Sequence, residues 1–255
     1  MEQRLTGTVA IVTGASSGIG EAAADALAAE GASLALVARR RDRLDGLATR
    51  IRARGGTALV LETDITNEAA AREAIRQTVE DAGRLDILVN NAGLMLLGRA
   101  EGADTSRWRQ MLDLNVAALM NLSHAALPHL LQAAQGAPRS VADVVNISSV
   151  AGRVARAGSG AYNASKWAVN AFSEALRQEV TARHVRVSLI EPGAVATELA
   201  SHNTDPEVVA GLQRRFGSIE RMTAADIAEI IVFTVTRPSR VAINEVLVRP
   251  TEQVD

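Results

Sequence analysis

Tyrosine and lysine each occur once in this 255-residue chain, as Tyr162 and Lys166; apart from four histidines, every other basic side chain is arginine. The two residues lie four apart, so on a helix they share a face. A free phenol, with a pKa of about 10, is a poor base at neutral pH. An ammonium beside it stabilises the phenolate and lowers that value. Arginine could supply the charge, but lysine is a compact three-donor head that reaches sugar hydroxyls and takes part in proton relays. The bland alternative is a surface tyrosine–lysine pair. Ser148 and Ser149 end the strand-like run before that helix. A hydroxyl there can polarise a carbonyl and turn it toward the phenol, or it can simply form the turn, a reading that suits Ser148 better than Ser149. No histidine lies near enough in sequence to make either serine a nucleophile, which disfavours a hydrolase triad.

The elements that must position these groups follow from periodicity. Residues 8–12 read as a buried strand, followed by a glycine-rich turn and an alanine-rich helix to Glu30. Residues 33–37, 58–61 and 87–89 read as strands, with helices over 41–54 and 68–81 between them. In the second half, 105–135 reads as one helix bent by Pro128, 141–147 as a strand, 160–182 as a helix and 185–190 as a strand. Residues 192–222 read as irregular and polar. Thr223-Ala-Ala-Asp226 has the pattern of a capping box opening a helix through Val235, and a last strand falls near 245–248. Strands alternating with helices of this length predict right-handed crossovers and a parallel sheet covered on both faces. The expected fold is a doubly wound α/β, or Rossmann, sheet of about seven strands. With no linker, repeat or low-complexity tract, one domain is expected over 1–255, with a substrate loop at about 193–222.

Gly14-Ala-Ser-Ser-Gly18-Ile-Gly20 follows the first strand and opens the first helix. Glycines there permit a tight turn and let the backbone approach a pyrophosphate at the helix N-terminus, where amide donors and the dipole favour anions; a plain strand-to-helix turn is the alternative. The second strand ends in Ala38-Arg39-Arg40-Arg41, with no acid before Asp42. A carboxylate at that point would bind the ribose 2′-hydroxyl of NAD, whereas guanidinium forks suit the 2′-phosphate of NADP. Arg39 and Arg40 are therefore expected on phosphate, and Arg41 and Arg43 in solvent. Asp64, after the third strand, could bond an adenine amino group or cap the next helix with Thr66 and Asn67. Asn90-Asn-Ala-Gly93, after the fourth strand, suits close approach to a ribose or nicotinamide, or an ordinary turn.

Taken in order, Thr13-Gly14-x-x-x-Gly18-x-Gly20, Asn90-Asn-Ala-Gly93, Asn115, Ser149, Tyr162-x-x-x-Lys166 and Pro192-Gly193 resemble the classical short-chain dehydrogenase/reductases over essentially the whole chain. The resemblance implies Tyr162 as general acid/base, Ser149 as carbonyl partner, Lys166 as ribose anchor and pKa modulator, and Asn115 as holder of a relay water. By residue type alone Asn115 is only a polar residue in a helix. The resemblance also implies an NADP(H) site built from Gly14, Ser16, Ser17, Gly18, Ile19, Gly20, Arg39, Arg40, Asp64, Ile65, Asn91, Ala92, Gly93, Tyr162, Lys166, Pro192, Gly193, Val195 and Thr197, with Thr197 on the nicotinamide carboxamide. Segments such as Asn91-Ala-Gly-Leu-Met-Leu-Leu-Gly98 and Ala126-Leu-Pro-His-Leu-Leu131 look like the NADP-dependent branch that includes clavulanic acid dehydrogenase and bacterial serine and 3-hydroxy acid dehydrogenases. The connection 132–141 is longer than that pattern expects.

Composition excludes several other classes. With 27 basic against 29 acidic side chains the net charge is −2, so no strongly basic face is expected for nucleic acid. No apolar run reaches the roughly 20 residues of a bilayer span. The start, Met1-Glu2-Gln3-Arg4, shows no signal-peptide core, and a cytoplasmic protein is expected. The absence of cysteine removes disulfides, thiolate metal sites and a cysteine nucleophile, and His124, His129, His184 and His202 have no ligand spacing, so no metal is expected. Arg153 could hold a substrate carboxylate or be solvated, Met95, Leu96, Leu97 and Val150 are expected to border an apolar substrate, and 197–222 is a candidate lid. Alanine-rich helix faces, with the resemblance, imply a homodimer or homotetramer. The sequence reading is an NADP(H)-dependent oxidoreductase interconverting a small carbonyl and its alcohol; the rivals are a non-catalytic NADP-binding sensor and a nucleotide-sugar epimerase, whose larger substrate domain does not fit this length.

Overall fold

The computed structural model describes residues 3–254; Met1, Glu2 and Asp255, the ends of the expected domain, lie outside the described residues. Seven strands form one parallel sheet in the order β3-β2-β1-β4-β5-β6-β7. They are β1 (Val9–Thr13), β2 (Ser33–Ala38), β3 (Ala58–Glu62), β4 (Ile87–Asn90), β5 (Ala142–Ile147), β6 (Val185–Pro192) and β7 (Glu245–Val248). The helices are α1 (Gly18–Ala29), α2 (Arg41–Ala53), α3 (Glu68–Ala82), α4 (Thr105–Leu112), α5 (Ala118–Ala133), α6 (Gly160–Val180), α7 (Pro206–Phe216) and α8 (Ala224–Val235).

The central strands are runs of small and β-branched apolar residues because they are buried on both sides. In β1, Ala10 and Val12 pack with Leu27 of α1, Leu44 of α2 and Ile231 of α8, while Ile11 joins the opposite layer with Ile75 of α3, Leu122 of α5 and Leu176 of α6. The period-2 alternation of a strand thus feeds two cores. The strand order reverses between β1 and β4, and the carboxyl ends that meet there open a crevice, the usual ligand position in such sheets.

Two expectations need correction. The run 105–135 is helical through Ala133, with Pro128 inside α5, but it is not uniformly α-helical: a π-helical stretch falls at Asp113–Ala117 with Asn115 buried inside it. The segment 192–222 is not irregular throughout, since it contains a 3-10 turn at Glu198–His202 and α7. The signals for α7 were local: Asp205 caps the amides of Glu207 and Val208, and Pro206 occupies the first turn, where its missing N–H costs nothing. The capping box at Thr223 and Asp226 is present as expected.

The amino edge of the sheet is held by charge. Asp143 on β5 is fully buried and receives two bonds from Arg186 on β6, at 2.7 and 3.0 Å, plus one from Arg139 at 2.6 Å. Arg186 also donates to the carbonyls of Val235 and Val241 at 2.9 and 2.8 Å, tying the end of α8 to the sheet. Arg139 lies in the long 132–141 connection, which therefore anchors at the edge opposite the crevice. Removing one partner of a buried ion pair leaves an uncompensated charge. Asp143→Ala is accordingly expected to lower unfolding stability by about 3–5 kcal/mol in a denaturant titration, and a loss below about 1 kcal/mol would refute the buried-charge account.

Candidate functional site

A single cleft of about 1330 Å³ runs along the carboxyl edge. It is lined by Gly14, Arg39, Asp64, Asn91, Ser149 and Tyr162, together with residues from the 3-10 turn and α7. At one end the glycine loop shows why glycine is required. Gly14 and Gly18 have φ of 66° and 57°, in the left-handed region that disfavours a Cβ. A Cβ on Gly14 would sit 2.9 Å from the Asn91 amide nitrogen, and one on Gly18 3.1 Å from Thr197 Cγ2. Gly20 is as tightly packed, against Asn91 and the Gly14 carbonyl. Asn91 fixes this approach by donating to Thr13 O at 2.9 Å while its own amide donates to Thr13 Oγ1 at 3.0 Å. The first turn of α1 has no side-chain cap, so the amides behind Ser17 supply the anion-binding end that a pyrophosphate needs. The residues present therefore fit a dinucleotide.

The end of β2 separates the two arginines. Arg40 donates to Ser16 Oγ at 3.1 Å, Ser17 Oγ at 2.6 Å and Glu198 at 2.9 Å, forming a strap from the glycine loop to the segment beyond Thr197. Arg39 lines the cleft and lies close enough to Asp64 to help hold that carboxyl below its usual range; the larger cause is hydrogen bonding from Thr66. Asp64 accepts from Thr66 N at 3.0 Å, while Asn67 caps α3 through Ala70 N. Asp64 therefore closes a local turn and does not cap α3, and it lies on the cleft wall. Ile65, Ala92, Gly93, Pro192, Gly193, Val195 and Thr197 all line the same cleft.

At the other end, α6 delivers Tyr162 and Lys166 on one face, both buried, with Lys166 Nζ 5.9 Å from the phenol ring centre. Lys166 Nζ donates to Ile147 O at 3.0 Å, fastening α6 to the end of β5. The Ser149 hydroxyl beside Tyr162 works to lower the phenol pKa, but burial is the larger influence and pushes it up to about 12. Burial likewise lowers Lys166 to about 8. The expected acidification of the phenol by its neighbouring amine is therefore not the net result in the protein alone, because desolvation penalises both charged forms. Asn115 accepts from Leu94 N at 2.8 Å and donates to Leu94 O at 2.9 Å and Ser165 Oγ at 3.0 Å. The π-helical stretch holds it buried behind Gly93, at a distance of 3.4 Å from a Cβ there.

Several residues escaped the sequence reading. Asn163, next to Tyr162, donates to Ala151 O and Val154 O at 2.7 and 2.8 Å and accepts from Ser159 Oγ at 2.6 Å, so it shapes the whole turn between Ser149 and Tyr162. Asn203 accepts from Leu97 N at 2.7 Å and donates to Met95 O at 3.0 Å, stapling the candidate lid to the expected substrate wall. Gln253 accepts from Ala194 N at 2.8 Å and packs on Gly193. Each acts across more than the neighbouring turn or between distant segments, where sequence carries no periodic signal; only Asn163 had one, its place beside the tyrosine. Arg153 is engaged by Glu191 and Glu245 while its side chain stays 40% exposed, so the solvated reading holds in part and its guanidinium is already committed to carboxylates of the protein. Among the described residues no cluster of histidine, cysteine, aspartate or glutamate could hold a metal, and no helix is long and apolar enough to cross a membrane.

Comparison with known proteins agrees with this geometry. A family model described as short chain dehydrogenase matches residues 8–207. Sulfoacetaldehyde reductase 2 of Chromohalobacter salexigens is 37% identical over 248 residues, covering 96% of this chain and 95% of that protein. Glycine betaine reductase ATRR of Emericella nidulans is 36% identical over 98% of this chain, which spans only 19% of that much longer protein. The closed form of a serine dehydrogenase complexed with NADP+ superposes with a TM-score of 0.85 at 30% identity, covering 94% of each chain. Similar solved structures include complexes with NADP and one with NAD. The chain is thus an oxidoreductase that belongs to the short chain dehydrogenase family.

Proposed function

We propose that the protein is an NADP(H)-dependent oxidoreductase that interconverts a small carbonyl compound and its alcohol. The observation that carries this reading is that Tyr162, 6% exposed, and Ser149 line the same cleft as the glycine loop. The nicotinamide, when bound, supplies or accepts the hydride. Gly14, Ser16, Ser17, Gly18, Ile19 and Gly20 hold the pyrophosphate end, Arg39 meets the 2′-phosphate, and Asn91, Ala92, Gly93, Pro192, Gly193, Val195 and Thr197 wall the ribose and nicotinamide end.

Ser149 orients the carbonyl oxygen and Tyr162 gives it a proton from its hydroxyl oxygen. Burial, which raises the phenol pKa, leaves the hydroxyl protonated at neutral pH, the form that a proton donor needs. Lys166, still mostly an ammonium at pH 7, restrains the charge that develops on the phenol oxygen, and Asn115 with Lys166 passes the replacement proton outward. The segment 193–222 covers the substrate end. The similarity to reductases acting on sulfoacetaldehyde and glycine betaine supports reduction of a small carbonyl; the clavaldehyde-type and 3-hydroxy acid readings are separated by a panel of aldehydes and β-hydroxy acids followed through NADPH absorbance.

Tyr162→Phe should cut turnover at least about 1,000-fold while leaving the NADPH dissociation constant within about twofold, because only the proton donor is lost; near-normal turnover would contradict the mechanism. Arg39→Asp should raise the Michaelis constant for NADPH by about tenfold or more and favour NADH. An unchanged cofactor preference would move the phosphate contact to Arg40. Burial of Lys166 gives a pH signature as well. Its folded pKa, about 8, lies below the 10.5 of a free lysine, so between those values the unfolded chain holds a proton that the folded chain has released. Stability on its account therefore rises with pH. Relative to Lys166→Met, the cofactor-free wild type should gain about 2 kcal/mol between pH 8 and 10 in denaturant titrations; a flat difference would mean that the amine is solvated.

A further inference from the structure

Glu191 sits on β6 immediately before Pro192 with no solvent exposure, and the chemistry above makes no use of it. A carboxylate that deep is tolerable only when paired and hydrogen-bonded. Its partners come from two places. Arg153 donates Nε to both carboxylate oxygens, at 2.8 and 3.1 Å, and Nη2 to Oε2 at 3.0 Å. Asn170, two turns along α6 from Tyr162, donates to Oε1 at 2.6 Å. The guanidinium also reaches Glu245 on β7 at 2.6 Å.

These groups bracket the residue proposed to orient the carbonyl. Ser148, on one side of Ser149, donates to Asn170 Oδ1 at 2.6 Å; Gly152, at the end of the short Val150–Gly152 turn, accepts from Asn170 Nδ2 at 3.1 Å; Arg153 follows directly. The turn packs straight onto this amide, since a Cβ on Gly152 would lie 2.7 Å from Asn170 Nδ2. Within the bracket Ser149 Oγ accepts from Ala151 N at 3.1 Å and donates to Pro192 O at 3.4 Å, the residue after Glu191. A guanidinium fork on a carboxylate fixes both distance and plane, which an apolar contact would not.

We infer that Glu191, Arg153 and Asn170 form a positioning clamp that sets Ser149 Oγ against the Tyr162 hydroxyl. None of the three touches the reacting atoms, so they are positioning residues acting through Ser149. The inference rests on the reading of Ser149 as carbonyl partner. One carboxylate thereby fastens the serine turn and the Pro192-Gly193 wall to each other.

The test is a double-mutant cycle on carbonyl reduction with NADPH. Arg153→Met and Glu191→Gln should each lower kcat by roughly 10- to 100-fold with the NADPH dissociation constant held within about twofold. Arg153→Lys, which keeps the charge but not the fork, should recover part of that loss and serves if the methionine variant fails to fold. In a Ser149→Ala background, Arg153→Met or Arg153→Lys should cost nothing further, because the group they position is already gone. A multiplicative loss in that background, or full turnover in Arg153→Met, would overturn the clamp and leave the proposed reaction standing. Full turnover in Ser149→Ala itself would overturn the reading of Ser149, and the clamp with it.

Discussion

The bond from Lys166 Nζ to the main-chain oxygen of Ile147 is where α6 is registered against the sheet. Ile147 is the last residue of β5, so an amine from α6 reaching it places the phenol one turn earlier beside Ser149 and above the crevice between β1 and β4. Desolvation is the cost of that arrangement. It holds the phenol protonated and weakens the ammonium, and a core position occupied by two ionisable groups is retained at the expense of stability, as functional sites often are.

The sheet meets buried charge at both of its edges, on the same two strands. At the amino edge Asp143 of β5 pairs with Arg186 of β6; at the carboxyl edge Glu191 of β6 pairs with Arg153 from the turn that follows β5. Both carboxylates are fully buried and both are gripped by guanidinium forks, yet the surroundings differ. The first pair gathers the carbonyls at the end of α8 and lies far from the cleft. The second borders the site, and its arginine is part-exposed. The same interaction thus closes the fold at one end and shapes the site at the other.

Much of this architecture was legible from residue patterns. Strands buried on both faces favour apolar runs: Val9 to Val12 supplies one, while Val185 to Ile190 carries Arg186 and Ser188 among its apolar residues. The capping box at Thr223 marks a helix start by local chemistry. Tyr162, Lys166 and the glycine loop stood out because their residue types are rare or conformationally necessary. The π-helical stretch at Asn115 was invisible, since its residues would be at home in an α-helix and only packing against Leu94 and Ser165 distinguishes it. Arg153 was read as a substrate contact or a solvated side chain because its partner Glu191 is distant in sequence. Gln253 and Asn203 escaped for the same reason, and the phenol's raised pKa depends on burial that no local pattern encodes.

A chain with one phenol also carries its own optical probe. The ultraviolet difference band that accompanies phenolate formation can arise here from a single position, without contributions from other tyrosines to subtract. Because that position lies in the cleft wall, any molecule entering beside it perturbs a band with one origin. The ionisation of the Tyr162 hydroxyl can be followed directly in the unlabelled wild-type protein.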